Sequence, residues 1–413
     1  MRESTLSAMS RDGDDVMSAQ PQPQPAAPEP WQPWRLAALS LGQVVSWGIL
    51  FYAMIVAAPV VAEDTGWPLA LVTALFSAGL VTSAIAGVPV GHWLDAKGPR
   101  GVMTLGSALG AVGLIVVAGA PEPWLFGLGW LVAGTAQAAT LYQAAFTVLA
   151  RRYDLRRRGA MTILTLAGGL ASTIFAPIVA GLLSVIDWRS TFLMLAGVLA
   201  VVTVPLHWFT LERRWAPLPT TAVAEVGPGV RAVLRSRRFW ALEIGTLLLV
   251  AALYMVTLSV IPLYSEKGMD YGLAAWALGL LGAGQVAGRL LYIAIPRTSA
   301  PWVPLVATAA TGAVALALMA LTPGPTWLLI ALAIVAGAVR GAQTLVQGSA
   351  VIERWGAATY GALNGVYAAP ITIVAALGPA LGPMAAAAVG GYGVMALIAS
   401  GCALLAIVFA RAS

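Results

Sequence analysis

The sequence predicts an all-α integral membrane protein, with twelve transmembrane helices in two pseudo-symmetric six-helix bundles. Three observations carry this reading: an apolar composition cut into spans of membrane length, positive charge confined to one side of those spans, and an internal repeat. The 413 residues are 59% hydrophobic and 10% charged, with a mean hydropathy of +0.85. Soluble domains carry roughly 25% charged residues, so the chain belongs in a bilayer. A hydrocarbon core about 30 Å thick needs roughly 20 apolar residues per helix. Twelve such stretches lie near 36–62, 69–94, 101–120, 123–150, 159–186, 190–210, 239–264, 271–296, 301–321, 325–350, 358–386 and 389–411.

Residues 1–34 precede the first span and contain Pro21-Gln22-Pro23-Gln24-Pro25, several acidic residues and no apolar core. They read as a disordered cytoplasmic tail rather than a cleavable signal. The first bundle then occupies 35–210. Residues 211–238, with Pro217, Pro219, Gly227, Pro228, Gly229 and six arginines, form the longest internal polar stretch and read as a cytoplasmic linker. The second bundle occupies 239–413.

The net charge of +6 follows from topology. Nineteen of the 23 Lys and Arg fall in the tail, the even-numbered loops and the two ends, and only Arg189 and Lys267 lie in loops on the opposite side. By the positive-inside rule both termini and the linker face the cytoplasm, and a nucleic-acid partner is excluded. The partner surface is the lipid bilayer, and a monomer in a bacterial inner membrane is expected. One cysteine, Cys402, lies in the last span, so no intramolecular disulfide is possible. It reads as a small buried hydrophobe.

The halves echo each other at an offset of 202 residues. Arg152 and Tyr153 correspond to Arg354 and Trp355, Gly159 and Ala160 to Gly361 and Ala362, Ala167 to Ala369, and Pro177 to Pro379. Such a parallel repeat is one of the ways transporter folds are built.

Between the second and third spans the chain reads Gly91-His92-Trp93-Leu94-Asp95-Ala96-Lys97-Gly98-Pro99-Arg100. The spacing Gly-x-x-x-Asp-x-x-Gly-x-Arg resembles the signature loop of the major facilitator superfamily, the twelve-helix secondary transporters. Gly91 and Gly98 permit close helix approach and a tight turn. The resemblance implies a cytoplasmic gate in which Asp95 and Arg100 join Arg152 and Arg156 of the fourth loop. The alternative is that these arginines only enforce topology. The second half reads Gly288-Arg289-Leu290-Leu291-Tyr292 and then Arg297, with no acidic residue, so the gate is expected to be asymmetric.

Charges inside spans point to function, because an arginine at a helix centre costs about 2.5–3.5 kcal/mol on insertion scales. Arg289 lies in the eighth span and Arg340 in the tenth; Glu243, near the start of the seventh, is the carboxylate that could be comparably buried. A cationic interior favours an anionic substrate. Arg289 either binds it or makes an interhelical bond, and Arg340 either does the same or pairs with Glu243 or backbone carbonyls. Gln285 lies one turn before Arg289 on the same face, on a helix thinned by Gly282, Gly284 and Gly288. Gln43, Tyr52, Gln137, Tyr142, Gln143, Tyr254, Asn364 and Tyr367 are the other mid-span polar or aromatic candidates, for a cavity wall or for interhelical bonds.

A closer resemblance is carried by Tyr153-Asp154-Leu155-Arg156-Arg157-Arg158-Gly159-Ala160, leading into Ala167-Gly168-Gly169. It looks like the fifth-helix signature of the monocarboxylate porters. Ser46-Trp47-Gly48 and Phe51-Tyr52 also resemble bacterial members of that group. The resemblance implies a small monocarboxylate-like substrate whose carboxylate meets an eighth-helix arginine, and Arg289 holds the matching position. Two departures bear on coupling. Gln285 stands where eukaryotic members have an aspartate, and the first span lacks their lysine, so proton symport would need Glu243 or the substrate's own carboxyl group.

The main rival is a proton-coupled drug efflux antiporter. Its fifth-helix mark is degraded here, since Ala176-Pro177-Ile178-Val179-Ala180-Gly181 keeps only Pro177 and Gly181 in register. Enzyme chemistry has no support: His92 and His207 are the only histidines, no metal or cofactor site is suggested, and Gly282-Ala283-Gly284 lies within an apolar span without the strand and helix context of a nucleotide loop. Gly168, Gly169 and Pro177 in the fifth span, and Pro370, Gly378, Pro379, Gly382 and Pro383 in the eleventh, make those helices breakable and so candidate moving gates.

Overall fold

The computed structural model describes residues 33–152, 157–213, 215, 228–294, 300–356 and 360–413, and every regular element among them is helical. The first crossing is α1 (Pro33–Trp47), a π-helical turn (Gly48–Tyr52) and α2 (Ala53–Thr65), followed by α3 (Leu69–Lys97) and α4 (Pro99–Ala118). The fourth is α5 (Pro123–Thr140) with α6 (Tyr142–Arg152), the fifth α7 (Arg157–Gly169) with α8 (Ala171–Leu183), and the sixth α9 (Trp188–Thr210). A short linker helix, α10 (Pro228–Leu234), leads to α11 (Arg237–Thr257) with α12 (Val260–Glu266), then α13 (Tyr271–Ala294), α14 (Val303–Leu321), α15 (Thr326–Trp355), α16 (Tyr360–Val389) and α17 (Tyr392–Arg411). Successive crossings alternate in direction. Both ends of the described chain therefore fall on the side of α10, the linker side, and the turns at 66–68, 184–187 and 267–270 fall on the far side.

Eleven helices among the described residues are long and apolar enough to cross a membrane, one fewer than the sequence predicts. The difference lies at 123–150. There the chain breaks at Leu141, whose backbone is extended (φ −84, ψ −161), so the fourth crossing is two helices in series. The fifth is interrupted only at Leu170, between α7 and α8, where the backbone stays right-handed helical (φ −81, ψ −6), and Gly159–Leu183 still forms one span. The eleventh, whose glycines and prolines make it breakable, runs unbroken as the 30-residue α16. Close neighbours support it, since a Cβ at Gly378 or Gly382 would meet Tyr254 or Ser259, and packed neighbours help a membrane helix tolerate lost backbone bonds.

The signature loop is a one-residue turn. Gly98 takes φ +84 and returns its N–H to the Leu94 carbonyl at 2.9 Å, a conformation that suits glycine alone. Gly91 makes no close helix approach, contrary to expectation: a Cβ there would meet nothing within 4 Å.

Small residues set the tightest contact in the second half. A Cβ at Gly284 or Gly288 of α13 would fall on the carbonyl of Ile334 or Ala338, and one at Gly337 or Gly341 of α15 on that of Leu281 or Gln285. Two Gly-x-x-x-Gly stripes thus interlock, the close approach that small residues allow where lipid offers no hydrophobic drive. Each stripe ends beside an arginine, Arg289 on α13 and Arg340 on α15, so this packing delivers both to one place.

The halves meet on the far side. Tyr271 donates to the Val56 carbonyl at 2.7 Å, Thr173 to the Gly279 carbonyl at 2.8 Å, and the Ala380 N–H to Ser77 Oγ at 3.2 Å. Pro177 Cδ would lie in ordinary contact, 3.4 Å, with a Cβ at Gly279, and Pro379 borders the residual space beside Met54 and Phe76. The two repeat-related prolines therefore both stand at this junction. That space amounts to about 20 Å³, room for about one water, so the halves are sealed against each other at this point.

Candidate functional site

On the linker side of that seal, between the halves, lies a cavity of about 270 Å³. The first half contributes Trp47 and the π-turn residues Phe51 and Tyr52, with Tyr142, Gly168 and Gly169 at the interrupted fourth and fifth crossings. The second contributes Tyr254, Gln285, Arg289, Arg340 and Thr344. π-Helical turns recur at functional sites, and here one turns two aromatic rings toward the cavity.

Arg289 is 7% exposed and crosses between the halves. Its Nη1 donates to the Thr165 carbonyl at 2.7 Å, just before the α7 to α8 interruption. Tyr142 reaches the same carbonyl at 3.4 Å and stands beside the guanidinium. Arg340, 4% exposed, lies over the Tyr254 ring with its guanidinium carbon 3.9 Å from the centroid, and donates to Thr257 Oγ1 at 3.1 Å. It is this pairing, not one with Glu243, that holds Arg340. Arg289 Nε, Arg340 Nε, Gln285 Nε2 and Trp47 Nε1 are buried without a hydrogen-bond partner. All four are donors, shielded within the wall, and among the described residues no carboxylate lines the cavity. The lining therefore brings two guanidinium groups to one space without an anionic partner there.

Of the residues expected to bind substrate, the structure thus gathers Arg289, Gln285, Tyr52, Tyr142, Tyr254 and Arg340. Others sit elsewhere. Gln43 donates to the Thr140 carbonyl at 2.7 Å and Gln137 to the Leu50 carbonyl at 2.8 Å. Both serve backbone at helix defects, the break after α5 and the π-turn. Tyr367 is fully buried, its hydroxyl 2.8 Å from Thr246 Oγ1. Gln143 is exposed beside Gly87 of α3, and half-buried Asn364 lies toward the linker end of α16. Glu243 is 2% exposed with both carboxylate oxygens unpartnered, and it does not line the cavity. Sequence reasoning passed over Trp47, Phe51 and Thr344 as site residues. Aromatics in an apolar span look like core, although Trp47 and Phe51 stood in the segments carrying the family resemblance.

At the expected gate, Arg152 pairs with Glu212 Oε1 at 2.6 Å, and Arg35 approaches the same oxygen at 3.8 Å. Arg100 instead lies over Trp208, 4.2 Å from its centroid. Arg156 and the side chain of Asp95 lie outside the described residues. A larger groove of about 630 Å³ runs between α13, α14 and α15, but its lining is mostly apolar and includes none of the expected site residues.

A cavity at the junction of two helical halves, sealed on one side, is the arrangement of an alternating-access carrier. Residues 39–342 match the Major Facilitator Superfamily, and the chain belongs to it: a multi-pass membrane protein with the fold of small-molecule transporters. The solved structures it resembles include a bacterial homologue of the human lysosomal transporter Spinster in an inward-facing, occupied conformation, with a TM-score of 0.72 and 16% identity over 93% of this chain and 97% of that one. The nucleoside transporter NupG superposes with a TM-score of 0.69 at 16% identity, over 92% and 98%. Among curated relatives, an MFS-type efflux pump of Mycolicibacterium smegmatis is 30% identical over 228 residues, 51% of this chain and 52% of its own length. An uncharacterized 38 kDa protein of Thermoproteus tenax is 30% identical over 209 residues, 51% and 47%. The chain spans about half the length of the curated relatives it matches.

Proposed function

We propose that the protein carries a small organic anion across a bacterial inner membrane by alternating access, with both termini cytoplasmic. The cargo's carboxylate meets Arg289, with Gln285 and Arg340 beside it. One observation carries this reading: the guanidinium groups of Arg289 and Arg340 both line the cavity, and among the described residues no carboxylate does. A carboxylate would meet that charge through charge-assisted bonds. The cavity, about 270 Å³, lies just below the roughly 300–1,000 Å³ of pockets that take drug-sized ligands, which argues for a small cargo. In this reading access is from the linker side, and the charge asymmetry supports taking that side as the cytoplasm.

Wild type and Arg289→Gln in liposomes, offered labelled mono- and dicarboxylates with and without a pH gradient, test the reading. Undiminished uptake by the variant removes Arg289 as the anion site. Indifference to the gradient argues against proton symport, for which Glu243 would be the proton carrier within the spans. Drug efflux is the second reading, favoured by the mycobacterial relative's name. It requires that overproduction lower susceptibility to toxic cations, whereas a carboxylate carrier changes growth on, or tolerance of, an organic acid.

A further inference from the structure

The two walls of the central cavity differ in kind. The second half presents the cationic wall. The first half presents aromatic surface: Trp47 on α1 and Tyr142 on α6 are half-buried, with ring centroids 5.0 Å apart and planes inclined by 47°. Phe51 backs Trp47 edge-on at 5.4 Å, and Phe146 covers one face of Tyr142 in a parallel stack at 5.4 Å. Trp47 and Tyr142 are thus each braced by a second ring and form a corner in the cavity wall. Tyr254, the aromatic of the opposite wall, is already occupied by Arg340.

The corner and the anion position adjoin, because Tyr142 and Arg289 share the Thr165 carbonyl. A ligand whose carboxylate engages Arg289 therefore brings whatever is attached to that carboxylate directly against Trp47 and Tyr142. Rings prefer offset or edge-to-face contact with other rings, and the inclined corner offers both. The volume, about 270 Å³, accommodates one ring with a short acid arm.

We infer that the cargo is an aromatic monocarboxylate, a single ring one or two bonds from its carboxylate, whose ring seats against Trp47 and Tyr142 while its carboxylate is held by Arg289. This deepens the anion-carrier reading and rests on it. Such a cargo touches both halves with different chemistry, so its two ends together draw the aromatic and cationic walls toward each other, as closure of the linker side requires.

Binding to the purified protein in lipid nanodiscs tests this, with labelled benzoate as the probe and unlabelled cyclohexanecarboxylate, butyrate and benzylamine as competitors. Benzoate should bind about three- to tenfold more tightly than cyclohexanecarboxylate, the range expected of one good ring contact. Trp47→Leu should erase that preference while still binding cyclohexanecarboxylate, and Trp47→Phe should keep most of it. Arg289→Gln should weaken both ring acids alike. Equal binding of the two ring acids by wild type overturns the aromatic inference and leaves the anion reading standing, a comparison that needs no variant to fold. A preference untouched in Trp47→Leu likewise overturns the ring seat. Binding of benzylamine with neither acid bound, or no binding of any probe at millimolar concentration, overturns both.

Discussion

Arg189 and Lys267 close equivalent helix ends in the two halves. Arg189 Nη1 donates to the Ala118 and Ala120 carbonyls at 2.8 and 2.7 Å, and Lys267 Nζ donates to Ala320 and Thr322, both at 2.7 Å. The acceptors, 118 with 320 and 120 with 322, stand at the same 202-residue offset that relates the two sequences. The donors do not: one comes from the start of α9, the other from the turn before α13. Cations favour helix C-termini, so the repeat has kept the need and met it twice. Hydrogen bonds from charged groups contribute about 1.5–3 kcal/mol. Lys267→Met and Arg189→Met should each lower unfolding stability by about 1–3 kcal/mol, and the double variant should lose the sum, because the sites share no partner. Thermal unfolding in detergent reads both.

Gln137 and Gln43 should behave as structural residues, although their places mid-span suggested cargo contacts. Replacing Gln137 by Leu leaves the Leu50 carbonyl of the π-turn without its 2.8 Å donor, a desolvation cost of about 1–3 kcal/mol. The expected result is a lower unfolding temperature with cargo affinity nearly unchanged in the folded fraction. A large rise in KM with intact stability would return these glutamines to the binding site.

The fold was legible because hydropathy, charge placement and the repeat are each set by the bilayer and survive any detail of packing. Helix defects were not. Leu141 lies between Thr140 and Tyr142 in a stretch without Gly or Pro, yet the chain breaks there, and nothing local to residues 123–150 announces that Gln43, some 97 positions earlier, supplies a donor to Thr140. The same blind spot left Gln43 and Gln137 open between cavity wall and interhelical bond, since a polar residue in a span serves either a ligand or a broken backbone and only geometry separates them. Arg289 and Arg340 were legible because an intramembrane cation needs a reason. Glu212 was missed because it sits in a linker whose composition drew attention to arginine.

Asp187 provides the clearest pH dependence outside the spans. It caps α9 by accepting from the Ser190 N–H at 2.9 Å and hydroxyl at 2.7 Å, and these bonds hold its carboxyl below its ordinary value. A depressed folded pKa means that the cap's stabilisation is complete above the unfolded value, about 3.9, and is lost as pH falls through the lower folded one. Wild type should therefore melt above Asp187→Ala at neutral pH, with the gap closing only below about pH 4. A gap that stays constant into stronger acid would mean the cap acts without its charge.

Glu212 joins α1 to α6 at the linker side of the first half, through Arg35 and the nearly buried Arg152. Glu212→Gln keeps the shape and removes the charge. Because Arg152 has a further partner, the loss should sit at the lower end of about 1–3 kcal/mol. Glu212→Arg, which sets three cations together, should cost more. Unfolding curves of the two variants at low and high salt rank them, and equal stability of both would show the pair to be solvated ornament.

Two glycines near Arg289 should fail in different ways. A Cβ at Gly288 would fall on the Ala338 carbonyl, backbone that cannot yield without separating α13 from α15, so Gly288→Ala should lose folded protein. A Cβ at Gly169 would meet Arg289 Nη1 and Val286 Cγ2, each at 3.0 Å, both of them side-chain ends that can shift by a few tenths of an ångström. Gly169→Ala should therefore fold, while pressing Arg289 away from the Thr165 carbonyl that aims it. The expected signature is a wild-type unfolding temperature with carboxylate binding weakened roughly tenfold, about 1.4 kcal/mol, as read by labelled-acid binding and thermal unfolding of the same preparation. Unchanged binding would mean that the tether to α7 does not orient Arg289 for its ligand, and the cavity's cationic wall would then owe its geometry to the α13 to α15 interlock alone.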